Sequence, residues 1–169
     1  MTAIDLPLEP RAAVVASCVA WTAIGVGTGY LVQRIPLDRL DHDSWLTRPR
    51  RFEDEGRFYQ RRFRIGRWKD RMPEGGALFR GGTSKRHLGG ASDQALVRFA
   101  AETRRAELVH WMNAASGPVF LLWCPWPLGL VMIGFGWVAH LPFICIQRSN
   151  RARVGRVLDA RRRAVRLAG

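Results

Sequence analysis

The chain has 169 residues, a formal charge of +13, and an arginine-dominated basic content in which 25 of 27 basic residues are Arg. That length has room for one compact domain, or for a small membrane protein with a modest cytosolic part. A strong positive balance has two ordinary partners, nucleic-acid phosphates and anionic lipid headgroups, and the apolar runs choose between them.

The first run, residues 12–32, reads AAVVASCVAWTAIGVGTGYLV and carries no charge over 21 positions. About 20 apolar residues span a hydrocarbon core as a helix. Its flank holds Asp5 and Glu9 against Arg11, unlike the positive n-region of a signal peptide, so a retained anchor is expected. Pro36, in the sequence QRIP, should stop this helix.

Residues 33–110 form a basic segment of net +7. Within it, residues 52–72, FEDEGRFYQRRFRIGRWKDRM, place acids early and arginines late, as a helix dipole favours, and interleave aromatic with basic side chains. Residues 73–90 are a glycine-rich loop. Ser92 and Asp93 open a strongly periodic helix running to about Asn113.

Residues 111–146 contain no Asp, Glu, Lys or Arg across 36 positions. As helix they would measure about 54 Å, too long for one span and slightly short for two. Pro125 and Pro127 in CPWPLG interrupt the helix, which predicts a hairpin with a short arm at 112–123 and a nearly full span at 128–146. A single tilted span is the alternative. The tail, residues 147–169, is again net +7. The positive-inside tendency puts both basic segments in the cytosol and the N-terminus outside, in a bacterial inner membrane. The expected fold is thus an all-α membrane protein forming one membrane-embedded domain over residues 1–169: an N-terminal transmembrane helix, a cytosolic helical segment and a C-terminal hydrophobic helical hairpin.

Chemistry-bearing side chains concentrate where the second apolar run begins. In ETRRAELVHW, residues 102–111, Glu107 and His110 are three apart and share a helix face. A carboxylate beside an imidazole raises its basicity and fixes its tautomer, which suits a general base acting on a hydroxyl. Helix-surface ion pairing among Glu102, Arg104, Arg105 and Glu107 accounts for the same spacing. His87, in the glycine-rich loop, is an alternative base or oxyanion donor. His42 reads as a surface residue, and His140, inside the hairpin, as buried and hydrogen-bonded. Beyond the membrane, QRSNRAR offers Arg148 and Arg151 to an anionic acyl donor, with Gln147 and Asn150 adding amides. Cys18, Cys124 and Cys145 lie in apolar runs without ligand spacing, so they read as packing residues and no metal is expected. No His-x4-Asp pattern, Gly-x-Ser-x-Gly elbow or phosphate-binding glycine signature occurs.

RIP after the first span, FEDEGRFYQRRFRIGRWKDRMPEG, KRHL, ETRRAELVHW and QRSNRAR occur in an order and spacing that resemble the bacterial glycosyl-4,4′-diaponeurosporenoate acyltransferase family, membrane proteins of the staphyloxanthin pathway. The resemblance runs from about Gly29 to Leu158. It implies O-acyl transfer of a fatty acyl group to a primary hydroxyl on the sugar of a glycosylated carotenoid. By motif it points to Arg86, His87, Glu102, Arg105, Glu107, His110, Gln147, Arg148 and Asn150. The CPWPLG turn and His140 depart from the pattern. The resulting reading has His110 as base, Glu107 orienting it and His87 in reserve. Arg86, Glu102, Arg105, Gln147, Arg148, Asn150 and Arg151 are the substrate-binding set. Acyl-CoA or acyl carrier protein is the donor, with no bound cofactor. Membrane lipids, a lipid-linked sugar acceptor and pathway enzymes are the partners, and nucleic acid is not. The rival readings are a non-catalytic membrane scaffold with basic patches, and a nucleic-acid binder using the basic-aromatic segment.

Overall fold

The computed structural model describes residues 6–69 and 92–168. All regular structure among them is helical. The described residues cluster into two compact units, each assembled from separated stretches of chain. Unit 1 comprises Met1–Arg34 and Leu108–Ile144, and unit 2 comprises Ile35–Glu107 and Cys145–Gly169.

In unit 1, helix α1 covers Pro10–Gln33 and starts with proline in its first turn, where the missing N–H costs nothing. It closes at Arg34, two residues before Pro36, where the Arg34 N–H donates to Leu31 O. Only Ala13, Ser17, Gly29 and Val32 are buried, while Val14, Val15, Val19, Val26 and Leu31 point outward.

The partners of α1 come from the second apolar region. Ala13, Phe120 and Cys124 are the buried centre, flanked by Trp21, Ile24, Trp123, Leu128 and Met132. Trp21 stacks on Phe120 with centroids 4.6 Å apart. Several polar groups pair with one another: Trp123 Nε1 donates to Ser17 Oγ at 3.2 Å, Ser17 Oγ lies 3.4 Å from Cys124 Sγ, and Thr28 Oγ1 donates to Asn113 Oδ1 at 2.6 Å, whereas the buried Trp21 Nε1 has no hydrogen-bond partner among the described residues. Such pairing is what an apolar environment demands of polar side chains. No disulfide joins the three cysteines.

Helix α3, Asp93–Ala115, and helix α4, Trp126–Ala168, contribute to both units. Ser92 opens α3, its Oγ accepting from the Ala95 N–H at 3.2 Å, as its side chain predicts. The break expected at the proline pair is present: a 3-10 stretch at Gly117–Leu122 ends before α4 begins at Trp126. Two details differ from expectation. The arm at 112–123 is not one element, because α3 continues to Ala115 and Pro118 then opens the 3-10 stretch. The tail is also not separate, since α4 runs unbroken through 43 residues with Pro142 inside it. Two helices, α1 and α4, are long and apolar enough to cross a membrane.

Unit 2 packs the first half of α3 on the second half of α4 through Leu96, Phe99, Ala100 and Val154, with Val157 and Leu158 beside them. A second cluster joins Tyr59, Ile65 and Ile146. Residues 52–69, the described part of the stretch whose charge order suits a helix dipole, do not form one helix. A 3-10 stretch at Arg51–Gly56 leads into helix α2, Arg57–Phe63, and a further 3-10 turn at Ile65–Arg67. Left-handed backbone at Asp54, Glu55, Gly56 and Arg64 breaks the run.

Gly56 explains why the bend is tolerated. Its φ is +84°, and a Cβ there would sit 2.7 Å from Ala152 Cβ. Left-handed backbone costs an L-residue about 1–2 kcal/mol, and overpacking adds about 1–3 kcal/mol. Gly56→Ala should therefore destabilise unit 2 by about 2 kcal/mol or more in equilibrium unfolding. A loss below about 0.5 kcal/mol, the ordinary surface range, would mean the close approach to Ala152 does not exist in solution.

Candidate active site: a histidine pair and a buried ion cluster

In unit 2 the segment QRSNR, residues 147–151, is buried at every position. Five consecutive polar residues on a helix avoid water only if their groups find partners, and here the partners are carboxylates and carbonyls. Arg148 Nε donates to Glu107 Oε1 at 2.7 Å, its Nη1 donates to Glu53 Oε1, and its Nη2 donates to Leu46 O at 2.7 Å. Arg151 Nη2 donates to Thr47 O and lies 2.7 Å from Glu107 Oε2, an ionic contact rather than a directed hydrogen bond. Asp43 Oδ1 accepts from Arg104 Nε at 2.6 Å and stands 3.6 Å from Arg151 Nε.

Three carboxylates, Asp43, Glu53 and Glu107, thus face three guanidiniums, Arg104, Arg148 and Arg151, and the cluster is neutral as a whole. Its electrostatics follow from burial. Burial alone would lower the proton affinity of Arg148, but Glu107 and Glu53 outweigh it and raise its pKa above the ordinary arginine value. The Tyr59 phenol is also pushed well above its usual range, first by burial and then by the adjacent Glu53 carboxylate. Both groups therefore keep one protonation state throughout the physiological range.

The remaining residues singled out by the sequence fall nearby in chain and differ in circumstance. Glu102 and Arg105 pair at 3.2 Å on successive turns of α3, and Arg105 Nη2 donates to Ile35 O at 2.9 Å. Asn150 is buried. Gln147 Oε1 and Arg151 Nη1, one helical turn apart, are buried without a hydrogen-bond partner among the described residues. Arg86 and His87 lie outside the described residues. Asp43, Glu53 and Thr47 have no sequence signal of their own. Only the excess of arginine after position 146 hints that buried acids must exist elsewhere.

Unit 1 holds the other feature. His110 Nδ1 and His140 Nδ1 are 3.1 Å apart. Phe143 stacks on the His110 ring, with centroids 4.7 Å apart and planes 11° from parallel. Glu107 and His110, paired in the sequence reading, each have a further partner: the Glu107 oxygens meet Arg148 and Arg151, and His110 Nδ1 meets His140. His140 is hydrogen-bonded, as its place in an apolar run suggests, but it is only partly buried rather than buried. Among the described residues no group of three or more His, Cys, Asp or Glu is arranged to hold a metal ion.

Imidazoles are the side chains that most often move a proton to or from a reacting hydroxyl, the chemistry an acyltransferase needs at its acceptor. The chain is an acyltransferase by class: the model of one such family, glycosyl-4,4′-diaponeurosporenoate acyltransferase, matches residues 42–160. The chain belongs to that family. Proteins named glycosyl-4,4′-diaponeurosporenoate acyltransferase from Staphylococcus aureus strains bovine RF122 / ET3-1 and MRSA252 are each 28% identical to it over 138 residues, 82% of this chain and 83% of theirs. The protein of the same name from strain USA300 is 27% identical over the same length. No solved structure matches the chain.

Proposed function

We propose that this chain is a membrane-embedded acyltransferase that moves a fatty acyl group from a thioester donor, acyl-CoA or acyl carrier protein, to a sugar hydroxyl of a glycosylated lipid. The relatives' name makes a glycosyl carotenoid carboxylate the first acceptor to try. The observation that carries the reading is the His110–His140 pair, two engaged imidazoles in a unit whose buried cluster is apolar.

In this reading His110 Nε2 takes the proton from the acceptor hydroxyl. The hydroxyl oxygen then bonds to the acyl carbon, the C–S bond of the thioester breaks, and the departing thiolate receives the proton from His110. Glu107, Arg148, Glu53 and Asp43 hold the backbone at Leu46–Arg48 in place, and Arg105 with Glu102 does the same at Ile35. Arg86, pointed to by resemblance, is kept in the substrate-binding set, and His87 as an alternative base or oxyanion donor. Helix α1 and the apolar part of α4 cross the bacterial inner membrane, with both basic segments cytosolic and the acceptor arriving by diffusion in the bilayer.

The test is reconstitution. The purified chain in lipid nanodiscs is given a glycosyl diaponeurosporenoate and either palmitoyl-CoA or palmitoyl carrier protein, and products are read by mass spectrometry. The expected product is the ester, with the mass of the acceptor plus one fatty acid minus water. Absence of ester with both donors, under conditions where a Staphylococcus aureus relative makes it, would overturn the reading.

A further inference from the structure

We propose that His140 is the positioning partner of His110, filling the place usually taken by a carboxylate behind a catalytic imidazole. The inference rests on the reading of His110 as the base. It starts from stoichiometry: a hydrogen bond between two Nδ1 atoms requires that one carry the proton and the other a lone pair. When His110 Nδ1 donates to His140, the lone pair of His110 is at Nε2, and the ring is a base at that atom alone. His140 then carries its own proton on Nε2, so one contact fixes the tautomers of both rings.

The arrangement also deals with the charge that forms. Once His110 Nε2 has accepted a proton, the ring is an imidazolium, and its Nδ1–H bond to the neutral His140 becomes charge-assisted, roughly twice as strong as a neutral one. The Phe143 face parallel to the His110 ring adds a cation–π contact. His140 and Phe143 are three residues apart on α4 and so share a face. One contact holds the edge of His110 and the other its plane, and both ring rotations are restricted. The near carboxylate in sequence, Glu107, is engaged with Arg148 and Arg151, whereas His140 brings its lone pair without adding a charge to an apolar unit.

The experiment compares His140→Asn with His140→Leu in the reconstituted enzyme. The Asn side chain places an amide oxygen or nitrogen near the position of Nδ1 and can keep the hydrogen bond; Leu cannot. We expect kcat within about tenfold of wild type for His140→Asn and a fall on the order of 10²-fold or more for His140→Leu, with KM for donor and acceptor little changed. Because the chain has only four histidines, nitrogen-15 NMR of histidine-labelled protein can follow the His110 tautomer directly. A hydrogen-bonded Nδ1 signal that persists in His140→Asn and is lost in His140→Leu is expected. Equal kcat in the two variants, or an unaltered His110 signal in His140→Leu, would overturn the proposal. If His110→Ala is inactive while His140→Leu is fully active, the positioning role alone fails. If His110→Ala is itself active, the base assignment fails with it.

Discussion

Glu107→Ala is expected to cost unit 2 about 3–5 kcal/mol, the usual penalty for removing one partner of a buried ion pair. Glu107 is 0% exposed and lies between two arginines that are each at most 7% exposed. Truncation leaves Arg148 with Glu53 as its remaining carboxylate and Arg151 with the more distant Asp43. Arginine does not escape by losing its proton, so the charge stays and water must enter. Glu107→Gln keeps the shape and one acceptor and should lose less. A double change, Glu107→Leu with Arg148→Met, should not recover the loss, because it strips buried Glu53 of Arg148 and buried Arg151 of Glu107. Equilibrium unfolding of the three variants in detergent measures this order. A Glu107→Ala loss under about 1 kcal/mol would show that the cluster is solvated and that burial does not govern it.

His110→Ala is expected to act on rate rather than on stability. A positioned general base contributes about 10²–10⁴-fold, so ester formation should fall by at least a hundredfold. His110 is only partly buried, and its loss removes one ring contact each with His140 and Phe143, so the variant should fold and reach the membrane at wild-type levels. Initial rates, normalised to protein recovered in the membrane fraction, measure the effect. A rate within threefold of wild type would remove His110 from the chemistry and leave the acyl transfer itself to be explained by another base.

These two expectations separate what could be read along the chain from what could not. Local features were legible: the length of α1, the break at CPWPLG, and the Ser92 hydroxyl that opens α3 each depend on residues within a few positions. The partners of Glu107 were not, because Arg148 and Arg151 are more than 40 residues away and helix spacing points instead to His110. Glu53 is 95 positions from the arginine it meets. Asp54 and Glu55 adopt left-handed backbone that neither residue type advertises, with Gly56 the only local hint. His140 was recognisable as a polar residue needing a partner, but nothing in its neighbourhood named one 30 residues upstream.

The arginines of QRSNR donate to the main-chain carbonyls of Leu46, Thr47 and Arg48, about a hundred residues earlier. During synthesis, Asp43, Glu53 and Glu107 therefore leave the ribosome with none of their α4 counter-charges yet made. Everything from residue 108 to 144 must be translated, and in our reading handed to the membrane, before those counter-charges appear. Contacts of such sequence separation form slowly, so unit 2 has no route to its native interior until the last part of α4 emerges. A chain interrupted before residue 148 would hold Asp43 against Arg104 but would lack the arginines that Glu53 and Glu107 close on, an open intermediate for quality-control proteases.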